Sequence, residues 1–213
     1  WTLTPYSTVN NWNIESNGNI ENRRTLSDSL GVRSTTNLKS DIKIIDGNGT
    51  KEDPYRLEGD NDTNLSGTLL NTRYSGEYIT FGTGENNLYR IVSHENSIGT
   101  KITSIEPLKS GRSFITSAFG NNTTFSSTNT VGLFLNGDYL TSYVGDSYNN
   151  MIGDSTIWYL GPVEKGSSYK LAKYTDTNMS SLTSSTTEAK VGLLRLGELM
   201  AGQYKSYENN IYY

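Results

Sequence analysis

The sequence predicts an α+β fold that is mostly β: antiparallel sheets with two or three short helices. Three observations carry that expectation. Asn, Ser and Thr make up roughly a third of the 213 residues, with 15 Tyr and 21 Gly. Tyr and Thr favour strands, whereas Asn and Gly favour turns. Apolar residues alternate in short runs broken by Gly, Asn and Pro, and helical spacing is confined to a few stretches.

Trp1 to Pro5 reads as a strand entering a turn. Trp12 to Ile20 alternates around the Asn17-Gly18 pair, a hairpin signal. Gly31 to Leu38 is a strand candidate, and Asp41 to Ile45 alternates Ile42 and Ile44. A Gly-rich turn at Asp46 to Thr50 leads to Asp53-Pro54-Tyr55. Strand-like segments follow at Glu77 to Phe81, Asn87 to His94 and Lys101 to Pro107. A helix is expected after Thr128, its candidate N-cap, through Val131, Leu133 and Leu135. Helical spacing continues from Asp138 to Ile152. Thr156 to Leu160 and Tyr169 to Tyr174 read as a hairpin, Glu188 to Met200 as a strand and short helix, and Asn210 to Tyr213 as strand.

Net charge is −4, and no basic stripe is interleaved with aromatics, so nucleic acid is not an expected partner. There is no Cys. A disulfide-stapled module is therefore excluded, and secretion by a low-GC Gram-positive or wall-less bacterium fits. No apolar run approaches a membrane span. Trp1 reads as a processed N-terminus or the start of an excerpt.

Candidate chemistry is sparse, and no catalytic residue or cofactor is expected. His94 is the single histidine; with no Cys, zinc and Cys/His nucleophile sites lack ligands. No Gly-x-Ser-x-Gly elbow accompanies a Ser-His-Asp triad. Asp46, Asn48 and Thr50 have the opening spacing of a calcium loop, but Leu57 stands where the bidentate Glu belongs. Asp60 and Asp62 form a weak candidate cation cluster that reads better as a solvated acidic turn. Trp158 is expected in the core and Trp1 in the core or at a seam. Trp12 and Asn13 are the best candidates for an exposed ligand contact. Lys and Asn are both plentiful, which leaves an internal Lys-Asn cross-link open.

Three stretches carry a family resemblance: Val131-Gly132-Leu133-Phe134-Leu135-Asn136-Gly137-Asp138-Tyr139-Leu140, Val191-Gly192-Leu193-Leu194-Arg195-Leu196-Gly197-Glu198-Leu199, and Gly31-Val32-Arg33. Together they resemble an uncharacterised bacterial secreted or surface repeat domain with WLNgdFl, GLLslsEy, YWLrTP and GVRP motifs. The resemblance implies a C-type-lectin-like fold. Ser34 stands where the family has Pro, and Phe134 where it has Trp.

The motifs occur in circularly shifted order. Residues 1–58 match the closing half of the domain, with a surface-repeat linker at 46–58. Residues 59–213 match its opening half. Joining Tyr213 to Trp1 restores the family order, so the expected assembly seam comprises Ile211, Tyr212, Tyr213, Trp1, Leu3 and Pro5. The closing half then completes the same copy, the next repeat of a tandem array, or a neighbouring copy. An unfilled sheet edge seeks a strand, and head-to-tail donation does not close. The expected function is a non-enzymatic subunit of an extracellular filament at the cell surface, partnered by copies of itself. The alternative is a lectin-like adhesin that binds host or bacterial surface glycans.

Overall fold

The computed structural model describes residues 1–59, 64–95, 99–160 and 185–200, with Glu95 and Met200 as backbone, and the backbone of 206–207 and 210–211. Asp60, Asp62, Tyr212, Tyr213 and the expected strand at Tyr169 to Tyr174 lie outside the described residues.

The strands are β1 (Asn10–Ile14), β2 (Ile20–Arg24), β3 (Leu30–Gly31), β4 (Thr35–Leu38), β5 (Tyr78–Thr80), β6 (Leu88–Glu95), β7 (Gly99–Ser104) and β8 (Lys109–Ser110). They continue as β9 (Ser113–Phe114), β10 (Thr116–Ser117), β11 (Thr156–Tyr159), β12 (Thr186–Ala189), β13 (Val191–Gly192), β14 (Ser206–Tyr207) and β15 (Asn210–Ile211). Among the described residues three short α-helices accompany them: α1 (Thr130–Asn136), α2 (Asp146–Met151) and α3 (Leu196–Met200). The mostly-β, antiparallel expectation holds.

The centre is a five-stranded antiparallel sheet in the order β13-β4-β7-β6-β5. Every residue of β4 and β7 is buried, so both faces of the sheet are covered. One face packs Leu38, Ile79, Tyr89, Ile91 and Ile102 against Val131, Leu135 and Tyr139. Consecutive apolar residues of β6 serve opposite faces, as strand alternation requires, and a bulge at Val92 shifts the register between Ile91 and Ser93. Ile91 joins the main core, while Val92 meets Leu194 and Leu199 on the other side.

Local chemistry sets the boundaries. The cap of α1 is Asn129, not Thr128: its side chain accepts from Gly132 N at 3.1 Å, and Thr128 pairs with Ser126 instead. The helical spacing of 138–152 is broken at Gly145, whose φ of 77° ends a π-turn at 140–144 before α2 begins. Strand β11 pairs with β12, Trp158 facing Thr187. The Gly31–Leu38 segment divides, β3 pairing with β10 and β4 entering the main sheet. Residues 46–58, read above as a linker, carry core side chains in Tyr55 and Leu57. Their backbone is tied to Tyr78 and Thr80.

Candidate functional site

The first residues form a strap across the second face of the sheet. Thr2 N donates to Trp12 O at 3.0 Å, and Trp12 N donates back to Thr4 O at 3.2 Å. On the strap's other edge Leu3 N donates to Leu194 O at 2.8 Å, and Leu196 N to Thr4 Oγ1 at 2.9 Å. Leu3 is buried, which contributes about 1.5–3 kcal/mol of hydrophobic stabilisation. Trp1 Nε1 donates to Ser117 O at 2.8 Å, and its ring meets Phe119 edge-on. Pro5 bridges to Asn11. Trp1, Leu3 and Pro5 of the expected seam thus sit together, against residues 194–196 and β1. Ile211 pairs with Ser206 in the β14-β15 hairpin.

Strand β4 lies deeper. It pairs with β13 on one side and β7 on the other, in the register Thr35↔Thr103, Asn37↔Lys101. Directly opposed residues of an antiparallel pair point to the same face. Thr35 Oγ1 and Thr103 Oγ1 are accordingly 3.0 Å apart. The next pair on that face, Asn37 and Lys101, is 1% and 0% exposed. Lys101 Nζ donates to Glu198 Oε1 at 2.7 Å. Glu198 is held by Arg195 Nη2 at 3.0 Å and by Arg195 N at 2.9 Å. The Trp158 ring lies 5.3 Å from Lys101 Nζ. Buried ions survive only when paired and hydrogen-bonded, and Lys101 and Glu198 meet that condition. The neutral Asn37 carboxamide beside them is buried without that support: neither Oδ1 nor Nδ2 has a hydrogen-bond partner among the described residues.

Sequence reasoning missed this cluster. Its only signal was a charged residue in the Thr100-Lys101-Ile102-Thr103 run, and the same pattern describes an ordinary solvated strand face.

Beside the strap, between the β1-β2 hairpin and the sheet, lies a cleft of about 1260 Å³. Trp1, Asn13, Arg23, Arg33, Pro107 and Leu199 contribute to its walls. The two candidate ligand contacts are not brought together. Asn13 is buried and faces the cleft. Trp12 is half-buried and meets Tyr6 edge-on at 4.8 Å, as the alternation of a strand requires.

Elsewhere, the Asp46 carboxylate is occupied by the Arg56 guanidinium, which also reaches Asp53. His94 Nδ1 is 3.0 Å from Thr100 Oγ1, and burial holds its pKa below the ordinary imidazole value. Ser34, Tyr89 and Tyr139 share a buried hydroxyl cluster with separations of 3.0, 3.0 and 2.6 Å. Burial pushes the Tyr139 hydroxyl well above the ordinary phenol range. No group of acidic or His side chains among the described residues has the geometry to hold a metal ion. No helix among them is long and apolar enough to cross a membrane. The chain matches no family model, no curated protein and no solved structure.

Proposed function

We propose that this chain is a structural subunit of a bacterial extracellular filament, assembled when residues 1–38 of one copy complete the sheet of the next. The observation that carries this reading is the position of β4. It fills the gap between β13 and β7, yet it arrives on a segment whose partners are distant in sequence. Leu3 meets Leu194, Val32 meets Ile115, and β4 meets β7 and β13. Residues 42–57, by contrast, bond to their sequence neighbours: Ile44 N to Thr68 O and Tyr55 N to Tyr78 O. The two regions join at Ser40 and Asp41, which are exposed.

A segment attached through an exposed joint can fill the same groove in its own copy or in a neighbour's. Donation to a neighbour leaves the donor's own groove open, so assembly continues head-to-tail. The Asn, Ser and Thr richness, the lack of Cys and the resemblance to surface repeats support an extracellular, cell-surface setting. The experiment places cysteines at Thr35 and Thr103 of the full chain, which has none of its own. A ladder of disulfide-linked oligomers on a non-reducing gel supports exchange. A single monomer band carrying an internal disulfide overturns it.

One observation favours a second reading, a lectin-like adhesin for surface glycans. Tyr6 is 54% exposed and stands edge-on to Trp12, beside the Asn10–Asn22 amide pair. Aromatic faces flanked by amides suit stacking and hydrogen bonding to a sugar.

A further inference from the structure

We infer that Lys101 and Asn37 are the two ends of a self-formed amide cross-link between β7 and β4, with Glu198 carrying the protons. The inference stands whichever chain supplies β4. Within one chain the bond braces the sheet; between chains it makes the filament covalent.

The geometry brings the reactants together in three steps. The register sets Asn37 opposite Lys101 with both side chains on the same face. Gly192 of β13 lies opposite Thr35 and shares that face. A Cβ on Gly192 would fall 2.8 Å from Trp158 Cδ2, so the indole covers β13 there. The Lys101 ammonium is 5.3 Å from that indole, although its backbone is two strands away in the order β13-β4-β7. Adjacent strands are about 4.8 Å apart. The lysine stem therefore crosses over β4, on the face where Asn37 stands.

The surroundings suit the reaction. Lys101, Asn37 and Trp158 are at most 1% exposed and Glu198 is 4% exposed. Water is kept from the amine before reaction and from the amide afterwards. A carboxylate 2.7 Å from the amine can relay its protons. The carboxamide is the one member of the cluster with no competing hydrogen bond. A buried amide left unpaired costs about 1–3 kcal/mol, and a native fold that retains one has a reason for it.

The step balances without an added reagent. Glu198 takes a proton from the Lys101 ammonium. The freed lone pair attacks Asn37 Cγ, and the carbonyl π electrons move to Oδ1. Nζ loses a second proton as Nδ2 gains protons through Glu198. The Cγ–Nδ2 bond breaks, the carbonyl re-forms, and ammonium departs. One C–N bond replaces another, no atom changes oxidation state, and Glu198 ends as carboxylate.

The test is the intact mass of the purified, denatured full chain, followed by a tryptic map. The chain should lack one ammonia, about 17 Da. The loss should map to a branched peptide joining the segments that hold Asn37 and Lys101, with no cleavage after Lys101. Glu198→Gln and Lys101→Arg should each restore the full mass. On a reducing, denaturing gel, a monomer with this mass means the bond is internal, and a ladder means it joins chains; both outcomes support the cross-link. A wild-type chain of unaltered mass overturns it. So does an ammonia loss that maps to an Asn-Gly pair such as Asn17-Gly18, where a succinimide forms instead. Failure of the amide leaves sheet exchange untouched, because the cysteine ladder reads exchange separately.

Discussion

Gly192→Ala tests how tightly the Trp158 wall is built. The added methyl carbon would sit 2.8–2.9 Å from three atoms of the indole. Carbon atoms in contact prefer about 3.5–4.0 Å, so the ring would have to move by several tenths of an ångström or more. It has little freedom to do so. Trp158 Nε1 donates to Ala189 O at 2.8 Å, and the ring is buried within the main core. Overpacking a well-filled site costs about 1–3 kcal/mol. In a chain of this size that is a fall in Tm of about 2–4 °C per kcal/mol. Urea unfolding followed by tryptophan fluorescence would measure it. Gly18→Ala is the control, since nothing lies within 4 Å of its added Cβ and only its φ of +87° opposes the change. The reasoning is refuted if Gly192→Ala unfolds at the wild-type urea midpoint.

Two further outcomes follow from the same structure. Burial lowers the folded-state pKa of His94, so below about pH 6.5 the unfolded chain binds more protons there than the folded one. Its contribution to stability is therefore present above that pH and lost as pH falls; His94→Gln should flatten the loss of urea stability between about pH 7 and pH 5, and an unchanged slope would contradict this. Trp12→Ala should leave assembly intact, because Trp12 packs on Tyr6 outside both the sheet and the cleft. If the isolated monomer instead binds saturably to a glycan array and Trp12→Ala abolishes that binding, the adhesin reading replaces the filament.

The sequence carried local structure better than long-range pairing. The Asn17-Gly18 turn, the strand over Asn87 to His94 and the buried Trp158 all follow from residue types close together in the chain, and each stands as expected. The strand over Asp41–Ile45 did not form as a sheet member. Its alternation is met by an isolated bridge between Lys43 and Leu69 and by hydrogen bonds from Ile44 N to Thr68 O and from Leu70 N to Ile42 O. Helix α1 began one residue late because Asn129, rather than Thr128, reaches Gly132 N. Asn136 gave no signal either, although its side chain bonds Val191 O and N and docks α1 on β13. The Asn37–Lys101–Glu198 cluster gathers residues from three distant segments. Only the register of β4 against β7 brings them together, and no spacing within one segment encodes it.

The central claim is that β4 of one copy completes the sheet of another. Its most direct test mixes two full-length variants, one with Thr35→Cys and the other with Thr103→Cys, unfolded together and refolded under oxidising conditions. The wild-type side-chain oxygens at these positions are 3.0 Å apart, within the reach of a disulfide. Neither variant can form that bond within its own chain. Exchange predicts a disulfide-linked heterodimer that appears only in the mixture; monomers alone, at every concentration tried, would contradict it.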